Sequence, residues 1–328
     1  MDDYEKNIKA FNTQLNEEGL SGFDLDRLAR FKPARIVIIG MGGSGIAGDV
    51  ISTTAQELNL RAKIEVWKDY GLPPSPIKIE RTLFIFCSFS GNTEETLSGF
   101  KTIFKKKDPN RRIAAIATGG ELEKLARQHH VPLVTFRPDT LTPRQSAGSM
   151  FYSLIKILRS SGHILQSKSF THLNPQHYKT KGKALADQLQ KRVILIYTDQ
   201  EYGVAGYIWK IKCNETAKML AFANVLPEMN HNEIVSFDKL TYPAAALFIH
   251  DTRHPRLQKK FSITEALAKK QGVKTFNIKL TGQSRLENIW EMTMLADWTT
   301  YFLARYNSVD PKETKIIDTL KSLMKKAG

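Results

Sequence analysis

The strongest constraint on the fold is an apolar run that occurs twice and is followed each time by a glycine-bearing segment. Residues 35–40 read RIVIIG and residues 192–197 read RVILIY. Directly after these runs, residues 45–50 (GIAGDV) and 203–208 (GVAGYI) match at an offset of 158. Short continuous apolar runs are typical of strands buried on both faces of a parallel sheet. The repeated pattern predicts a degenerate internal duplication.

Strands and helices alternate along the rest of the chain. Strands are predicted over residues 35–40, 63–67, 82–88, 113–118, 133–136, 192–197, 245–250 and 275–278. Helices are predicted near residues 46–58, 93–105, 121–129 and 146–158, with two more towards the C-terminus. Residues 160–182 are polar and aperiodic, which indicates a linker or an irregular crossover. The pattern predicts an α/β protein with two doubly wound, parallel-sheet domains, residues 1–162 and 163–328, that share a ligand cleft.

Composition narrows the class of protein. The 328-residue chain is 41% hydrophobic and 25% charged, as in globular proteins, and its net charge is +15. Its two cysteines, Cys87 and Cys213, fit neither a disulfide scaffold nor a zinc site. Without a signal-peptide pattern or an apolar run long enough to span a membrane, we expect a cytoplasmic protein that is not membrane-bound. The positive charge leaves nucleic acid, an anionic membrane surface or a phosphorylated small molecule as partners.

The first glycine loop fits two interpretations. Residues 40–45 (GMGGSG) satisfy the G-x-G-x-x-G pattern between a strand and a helix, as in dinucleotide-binding proteins. That interpretation also requires an acidic residue about 20 positions later to bind the ribose. Glu65 lies inside the next strand and Asp69 just beyond it, so neither is well placed. A tight turn without a ligand explains the same residues.

A second loop, SFSGNTEE at residues 88–95, points to a phosphate. Ser88, Ser90 and Thr93 offer three hydroxyls beside the free backbone amides of a helix start, and a helix N-terminus favours anions. Helix capping by Ser90 or Asn92 accounts for only one of these hydroxyls. A site for a phosphomonoester is therefore the better interpretation, and a dinucleotide fold has no use for this loop.

The motifs together resemble the sugar-isomerase (SIS) domain and, more narrowly, the bifunctional phosphoglucose/phosphomannose isomerase family. The resemblance covers the whole chain. It is carried by GMGGSGIAGD at 40–49, SFSGNTEET at 88–96, Pro143-Arg144, Asn214-Glu215, the segment 228–233 and the closing segment 310–321. It implies two SIS-type domains and the interconversion of glucose 6-phosphate and mannose 6-phosphate with fructose 6-phosphate. The implied reaction passes through a cis-enediol(ate) and uses no metal and no cofactor.

The resemblance also implies roles for individual residues. Glu215 matches the base, Arg144 the cation beside the enediolate, and His231 and Lys321 the groups that open the sugar ring. The implied substrate-binding residues are Gly43, Ser44, Ser88, Ser90, Thr93 and Thr314. Carboxylates move protons and fixed cations stabilise developing oxyanions, so the residue types suit these roles. The family further implies a homodimer with the active site near the interface.

The spacing of Thr314 and Lys321 allows a check on geometry. If Asp310 caps a helix that begins at Pro311, two residues seven apart lie on the same face.

Three other hypotheses remain: a non-catalytic SIS module that binds a sugar phosphate and regulates a partner, a nicotinamide-dependent oxidoreductase, and nucleic-acid binding. The first needs no Glu215, His231 or Lys321. The last rests on a lysine cluster at residues 179–192 that lacks interleaved aromatic residues.

Overall fold

The computed structural model describes residues 2–29, 31–74, 79–106, 108, 111–163, 165–166, 168–251 and 253–327. The chain forms two compact units. The first unit comprises residues 9–174 and 285–287, and the second comprises residues 1–8, 175–284 and 288–328. The predicted domains divide after residue 162 instead. The divisions differ because the N-terminal residues pack with the second unit and residues 163–174 with the first.

The elements preceding residue 175 are as follows. The chain begins with α1 (Asp3–Lys9) and continues with β1 (Ser21–Phe23), β2 (Arg35–Gly40), α2 (Gly42–Thr54), β3 (Lys63–Trp67), β4 (Thr82–Ser88), α3 (Glu94–Lys105), β5 (Arg112–Ala117), α4 (Gly120–Gln128), β6 (Leu133–Thr135) and α5 (Ala147–Ser160). The six strands form one sheet in the order β1-β6-β5-β4-β2-β3. Of these six strands, the short edge strand β1 is antiparallel to its neighbour and the others are parallel.

The remaining elements build the second sheet. They are α6 (Lys179–Leu189), β7 (Val193–Asp199), α7 (Gly203–Glu215), β8 (Ala221–Leu226), β9 (Ala244–His250), α8 (Pro255–Lys270), β10 (Lys274–Lys279), α9 (Arg285–Tyr306) and α10 (Lys315–Ala327). The four strands are all parallel, in the order β10-β9-β7-β8. Every residue of β4 and of β9 is buried, as expected for central strands covered on both faces.

The two sheets repeat one topology. The order β3-β2-β4-β5 in the first unit corresponds to β8-β7-β9-β10 in the second. The packing repeats as well: a Cβ on Gly48 of α2 would lie 2.9 Å from Ile38, and a Cβ on Gly206 of α7 would lie 3.6 Å from Ile196. Both glycines and both isoleucines are related by the offset of 158 that the sequence repeat has. The duplication predicted from sequence therefore agrees with the fold.

Most predicted elements are confirmed, with shifts at their ends. The strands at 63–67 and 82–88 have the predicted bounds. The helix predicted from residue 46 begins at Gly42, because the glycine loop itself forms the first helical turn. The predicted linker ends early, since α6 begins at Lys179; residues 164 and 167 of that segment lie outside the described residues. The sequence interpretation did not include α1, β1, β8, α6 or α8.

No helix in the described part of the chain combines the length and the apolar character that a membrane crossing requires.

Candidate active site

The glycine loop and the serine loop meet at the carboxyl ends of two adjacent strands, β2 and β4. Strand order reverses between them, since β3 lies beyond β2 and β5 beyond β4, and such a switch point is where open α/β sheets bind ligands. A hydrogen bond joins the loops: the backbone amide of Phe89 donates to Ser44 Oγ over 2.9 Å. The structure thus brings together two motifs that are well separated in sequence.

The Pro143-Arg144 motif packs against the glycine loop. A Cβ added to Gly43 would lie 2.6 Å from the Pro143 carbonyl oxygen and 3.1 Å from the Arg144 nitrogen, so only glycine fits there. Arg144 lies in a short 3-10 helix, Pro143–Gln145, and is only 3% exposed. A buried guanidinium provides a fixed cation next to the first loop. Gly43, Ser44 and Arg144 are therefore neighbours, as the predicted site requires.

The three loop hydroxyls have different environments. Ser88 is fully buried, and its Oγ lies 2.8 Å from Thr93 Oγ1. Thr93 is half-buried and occupies the N-cap position of α3, but its side chain makes no capping bond to that helix. Ser90 is exposed, and its hydroxyl accepts from the Asn92 amide over 3.3 Å. The Ser88 hydroxyl therefore orients the Thr93 hydroxyl at the start of α3.

The capping interpretation of this loop is wrong. Neither Ser90 nor Asn92 is the N-cap of α3, because Thr93 holds that position. Asn92 Oδ1 instead accepts from the Glu121 amide, in the first turn of α4, over 3.0 Å. Gly91 fixes the turn: its φ is +69°, and a Cβ there would lie 1.8 Å from the Gly119 carbonyl oxygen. The connection between β5 and α4, which contains Gly119 and leads to Glu121, thus fixes the conformation of the serine loop.

The structure also bears on the dinucleotide alternative. Glu65 forms an ion pair with Arg35, at the start of β2, and so faces away from the loop end of that strand. Asp69 Oδ1 accepts from the neighbouring Tyr70 amide over 2.7 Å. Both acidic residues considered for the ribose therefore have partners in the protein.

Glu215 is the last residue of α7 and is half-buried. The hydroxyls of Tyr4 and Thr216 lie 2.8 Å apart, and the Asn214 side chain donates to the Met219 carbonyl over 2.8 Å. Cys213, which precedes the Asn-Glu pair, is buried, and burial raises the pKa of its thiol to about 12. It therefore packs as a small apolar residue, and the helix end that carries Glu215 is well fixed.

His231 ends a short 3-10 helix, Glu228–His231, that follows β8, and its side chain is exposed. The next acidic residue, Glu233, fastens this segment to the sheet. Its carboxylate accepts from Tyr197 Oη over 2.7 Å and from Asn224 Nδ2 over 2.8 Å. Burial and the Glu233 carboxylate raise the pKa of Tyr197, so the phenol remains a donor. The sequence interpretation quoted Glu233 only as part of the motif; its anchoring role follows from the contacts.

Glu215 and His231 are separated within the second unit. Glu215 precedes β8 and His231 follows it. A strand of the length of β8 spans about 20 Å, and the segments that carry the two residues join it at opposite ends.

The helix predicted to carry both Thr314 and Lys321 begins later than expected. Asp310 does not cap it and Pro311 does not begin it, because α10 starts at Lys315. The Thr314 carbonyl accepts the first helical bonds, from Ile317 and Asp318. Asp310 Oδ1 instead accepts from the Lys312 amide over 2.7 Å, which makes a separate turn. Thr314 lies just before the helix, and Lys321 lies exposed within it.

The basic cluster considered for nucleic acid is partly neutralised. Lys179 pairs with Glu5 over 3.0 Å, and Lys183 pairs with Asp187 over 3.0 Å. These surface pairs reduce the positive potential on that face, which does not favour a nucleic-acid interface.

Comparisons with known proteins define the class. Residues 178–324 match the family model described as the bacterial phospho-glucose isomerase C-terminal SIS domain. A hypothetical protein from Thermus thermophilus shares the fold, with a TM-score of 0.75 at 16% identity over 98% of this chain and 90% of the other. The chain is thus a SIS-domain protein with the α/β architecture predicted from its sequence.

Two relatives identify the particular family. The bifunctional phosphoglucose/phosphomannose isomerase of Aquifex aeolicus is 31% identical over 89% of this chain and 90% of its own. The enzyme of the same name from Thermoplasma acidophilum is 30% identical over 88% of this chain and 89% of its own. The chain belongs to the bifunctional phosphoglucose/phosphomannose isomerase family.

Proposed function

We propose that this enzyme interconverts glucose 6-phosphate and mannose 6-phosphate with fructose 6-phosphate, without a metal ion, through a cis-enediol(ate). The observation that supports this most is the convergence of the glycine loop, the serine loop and Arg144 at one switch point. Hydroxyls and helix amides bind a dianionic phosphate, and a buried cation beside them suits an oxyanion.

Glu215 is the proposed base. In the open-chain aldose its carboxylate takes the C2 proton, the C–H electron pair forms the C1–C2 double bond, and the carbonyl oxygen at C1 becomes the enediolate oxygen. The same carboxyl then returns the proton to C1, while the C2 oxygen becomes the ketone and its proton passes to the C1 oxygen. Arg144 stabilises the negative charge between these steps. A general base of this kind contributes about 10²–10⁴ in rate.

The phosphate is proposed to lie at the start of α3, held by Ser90 and by Thr93 with Ser88 behind it. Gly43 and Ser44 contact the sugar, since the Gly43 backbone lies against the Arg144 segment. Thr314 contacts the C2–C3 region of the sugar, and Lys321 with His231 transfers the protons that open the ring.

His231 is proposed to serve the active site of a second copy in a homodimer. The support is its position: His231 follows β8, whereas Glu215 precedes that strand. A two-fold dimer lets each chain supply one group to the other's site.

Variants of the two residues test the function and the dimer together. Glu215→Gln is expected to lower kcat by about 10³-fold, because the amide cannot accept the proton. The assay couples fructose 6-phosphate turnover to detection of each aldose, with and without a strong chelator. Full activity of Glu215→Gln would overturn the assigned base, loss of wild-type activity in chelator would overturn metal independence, and turnover of only one epimer would overturn the dual specificity.

Mixing the variants locates His231. Glu215→Gln and His231→Ala chains, unfolded and refolded together, should regain about a quarter of wild-type activity if sites are shared between subunits. No recovery would place His231 in its own chain's site.

The alternative function is a regulator that binds a sugar phosphate. A wild-type protein that binds the sugar phosphate without converting it would support that alternative.

A further inference from the structure

The base-bearing end of α7 and the segment before α10 are joined by a single ammonium group. Lys218 Nζ donates to three backbone carbonyls: that of Glu215 over 2.8 Å, that of Asp310 over 2.7 Å and that of Glu313 over 2.8 Å. The first of these oxygens belongs to the last residue of α7. The other two flank the turn that leads directly into Thr314. We call this arrangement the Lys218 clasp.

We propose that Lys218 is a positioning residue that sets the distance between the Glu215 carboxylate and the Thr314–Lys321 segment; this rests on the function proposed above. The carbonyls at the end of a helix lack intrahelical partners and carry partial negative charge, so an ammonium there is favourable. Three donors on one nitrogen match three acceptors, whereas the planar fork of an arginine suits a carboxylate better.

The clasp differs from the other contacts around Glu215. Tyr4 fixes the helix end through the Thr216 hydroxyl, and Asn214 fixes it through the Met219 carbonyl. Lys312 holds that segment too, but to Asp3, with 3.3 Å between Nζ and Oδ2. Lys218 touches both the residue that carries the base and the residue next to Thr314. Its side chain lies at the surface, so its removal leaves no cavity in a core.

The consequence concerns turnover more than binding. The hydroxyls proposed for the phosphate lie in the first unit, whereas the three carbonyls that Lys218 binds lie in the second. Loss of the clasp therefore displaces the base and the sugar-contacting threonine relative to each other while the phosphate loop is unchanged. A displacement of about 1 Å costs up to about 10²-fold in rate.

The test compares Lys218→Met with Lys312→Met, which removes a lysine from the same segment but leaves the clasp. We expect kcat of Lys218→Met to fall at least about tenfold with KM for fructose 6-phosphate within about threefold, and Lys312→Met to match the wild type. Ethylammonium added to Lys218→Ala should restore kcat, because it supplies N–H donors at the empty position. Tetramethylammonium, which has no N–H group, should not.

A wild-type kcat in Lys218→Met would overturn the proposal, and so would a loss that ethylammonium does not restore. If the wild-type enzyme itself were inactive on hexose 6-phosphates, the proposed function would fail, and amide hydrogen exchange over residues 314–321 would decide the clasp separately. Faster exchange in Lys218→Met than in Lys312→Met would support the clasp, and equal exchange would overturn it.

Discussion

The two sheets share one topology but differ at their switch points. At the carboxyl ends of β2 and β4, the Ser88 and Thr93 hydroxyls lie at the start of α3, and the buried Arg144 segment packs against Gly43 at the start of α2. The carboxyl ends of β7 and β9 carry two carboxylates, Asp199 and Asp251. We call these places the first and the second carboxyl edge.

At the second carboxyl edge the polar groups form hydrogen bonds with one another. Asp199 Oδ1 accepts from the Tyr202 amide over 2.9 Å, and the Tyr202 hydroxyl accepts from Asn288 over 2.8 Å and from Arg253 over 2.9 Å. Arg253 is also paired with Asp251. Burial, with the nearby Asp251 charge, raises the pKa of Asp199 to about 6. The carboxylates of Asp199 and Asp251 at this edge disfavour the binding of an anionic ligand.

The comparison teaches that duplication of a fold does not duplicate a site. Both units keep the strand order and the close glycine contact between the first helix and the first strand. At the first carboxyl edge the hydroxyls of Ser88 and Thr93 lie at the start of α3. Glu215, the proposed base, precedes β8 in the second unit. The frame of the sheet was kept, while the side chains at its carboxyl ends changed.

The largest expected effect is on stability and tests whether the first carboxyl edge tolerates a side chain at Gly91. Gly91→Ala should destabilise the protein by more than about 3 kcal/mol, because the Cβ would lie 1.8 Å from the Gly119 oxygen at a φ of +69°. Gly203→Ala, at the start of α7, is the matched control: its Cβ would meet only Val225, at 3.5 Å, and helix propensity favours alanine by about 1 kcal/mol. Urea denaturation of both variants measures this. Equal midpoints would mean that the two edges are equally tolerant.

The next effect concerns ligand binding at the same edge. Thr93→Val should raise KM for fructose 6-phosphate by about 10–100-fold, because a hydrogen bond to a charged group contributes about 1.5–3 kcal/mol. Ser88→Ala should also raise KM, because the Thr93 hydroxyl loses the partner that orients it. Thr198→Val removes a buried hydroxyl at the end of β7 and should leave KM unchanged. Steady-state kinetics with a fold control by circular dichroism distinguishes the edges. If Thr93→Val kept the wild-type KM, the phosphate would bind elsewhere.

The smallest expected effect concerns the second carboxyl edge and is a change in the pH dependence of stability. Because the folded-state pKa of Asp199 is raised above its unfolded value, ionisation costs stability, and this cost develops as the pH rises from about 4 to 6. Asp199→Asn removes that cost and keeps an oxygen for the Tyr202 amide. The variant should therefore be more stable than the wild type by on the order of 2 kcal/mol at pH 7 and equal to it below pH 4.

Urea unfolding of the wild type and the variant at half-unit steps from pH 4 to 8 tests this, with Asp69→Asn as the exposed control. A difference in unfolding free energy that does not change across that range would contradict the raised pKa.

Most of the fold was predictable from local pattern. Continuous apolar runs predicted β2, β3 and β4 within a residue, because strands buried on both faces leave a pattern that does not depend on distant contacts. The strand β8 (AFANVL) was missed, since several of its residues are not buried and its sequence lacks that continuous run. The start of α10 was placed too early, because Asp310 suits both a helix cap and the isolated turn that the structure contains.

The candidate site divides in the same way. The sequence by itself determined the residue types: hydroxyls in a strand–helix loop, a cation after the proline, and a carboxylate in the Asn214-Glu215 motif. Only the tertiary structure decided which of them meet. It joined Ser44 to the serine loop and linked the Glu215 helix to the segment before Thr314 through Lys218. The physical reason is that turn residues and the spacing of apolar residues specify structure over only a few positions. Which loops lie at the same edge of a sheet depends on the order of its strands.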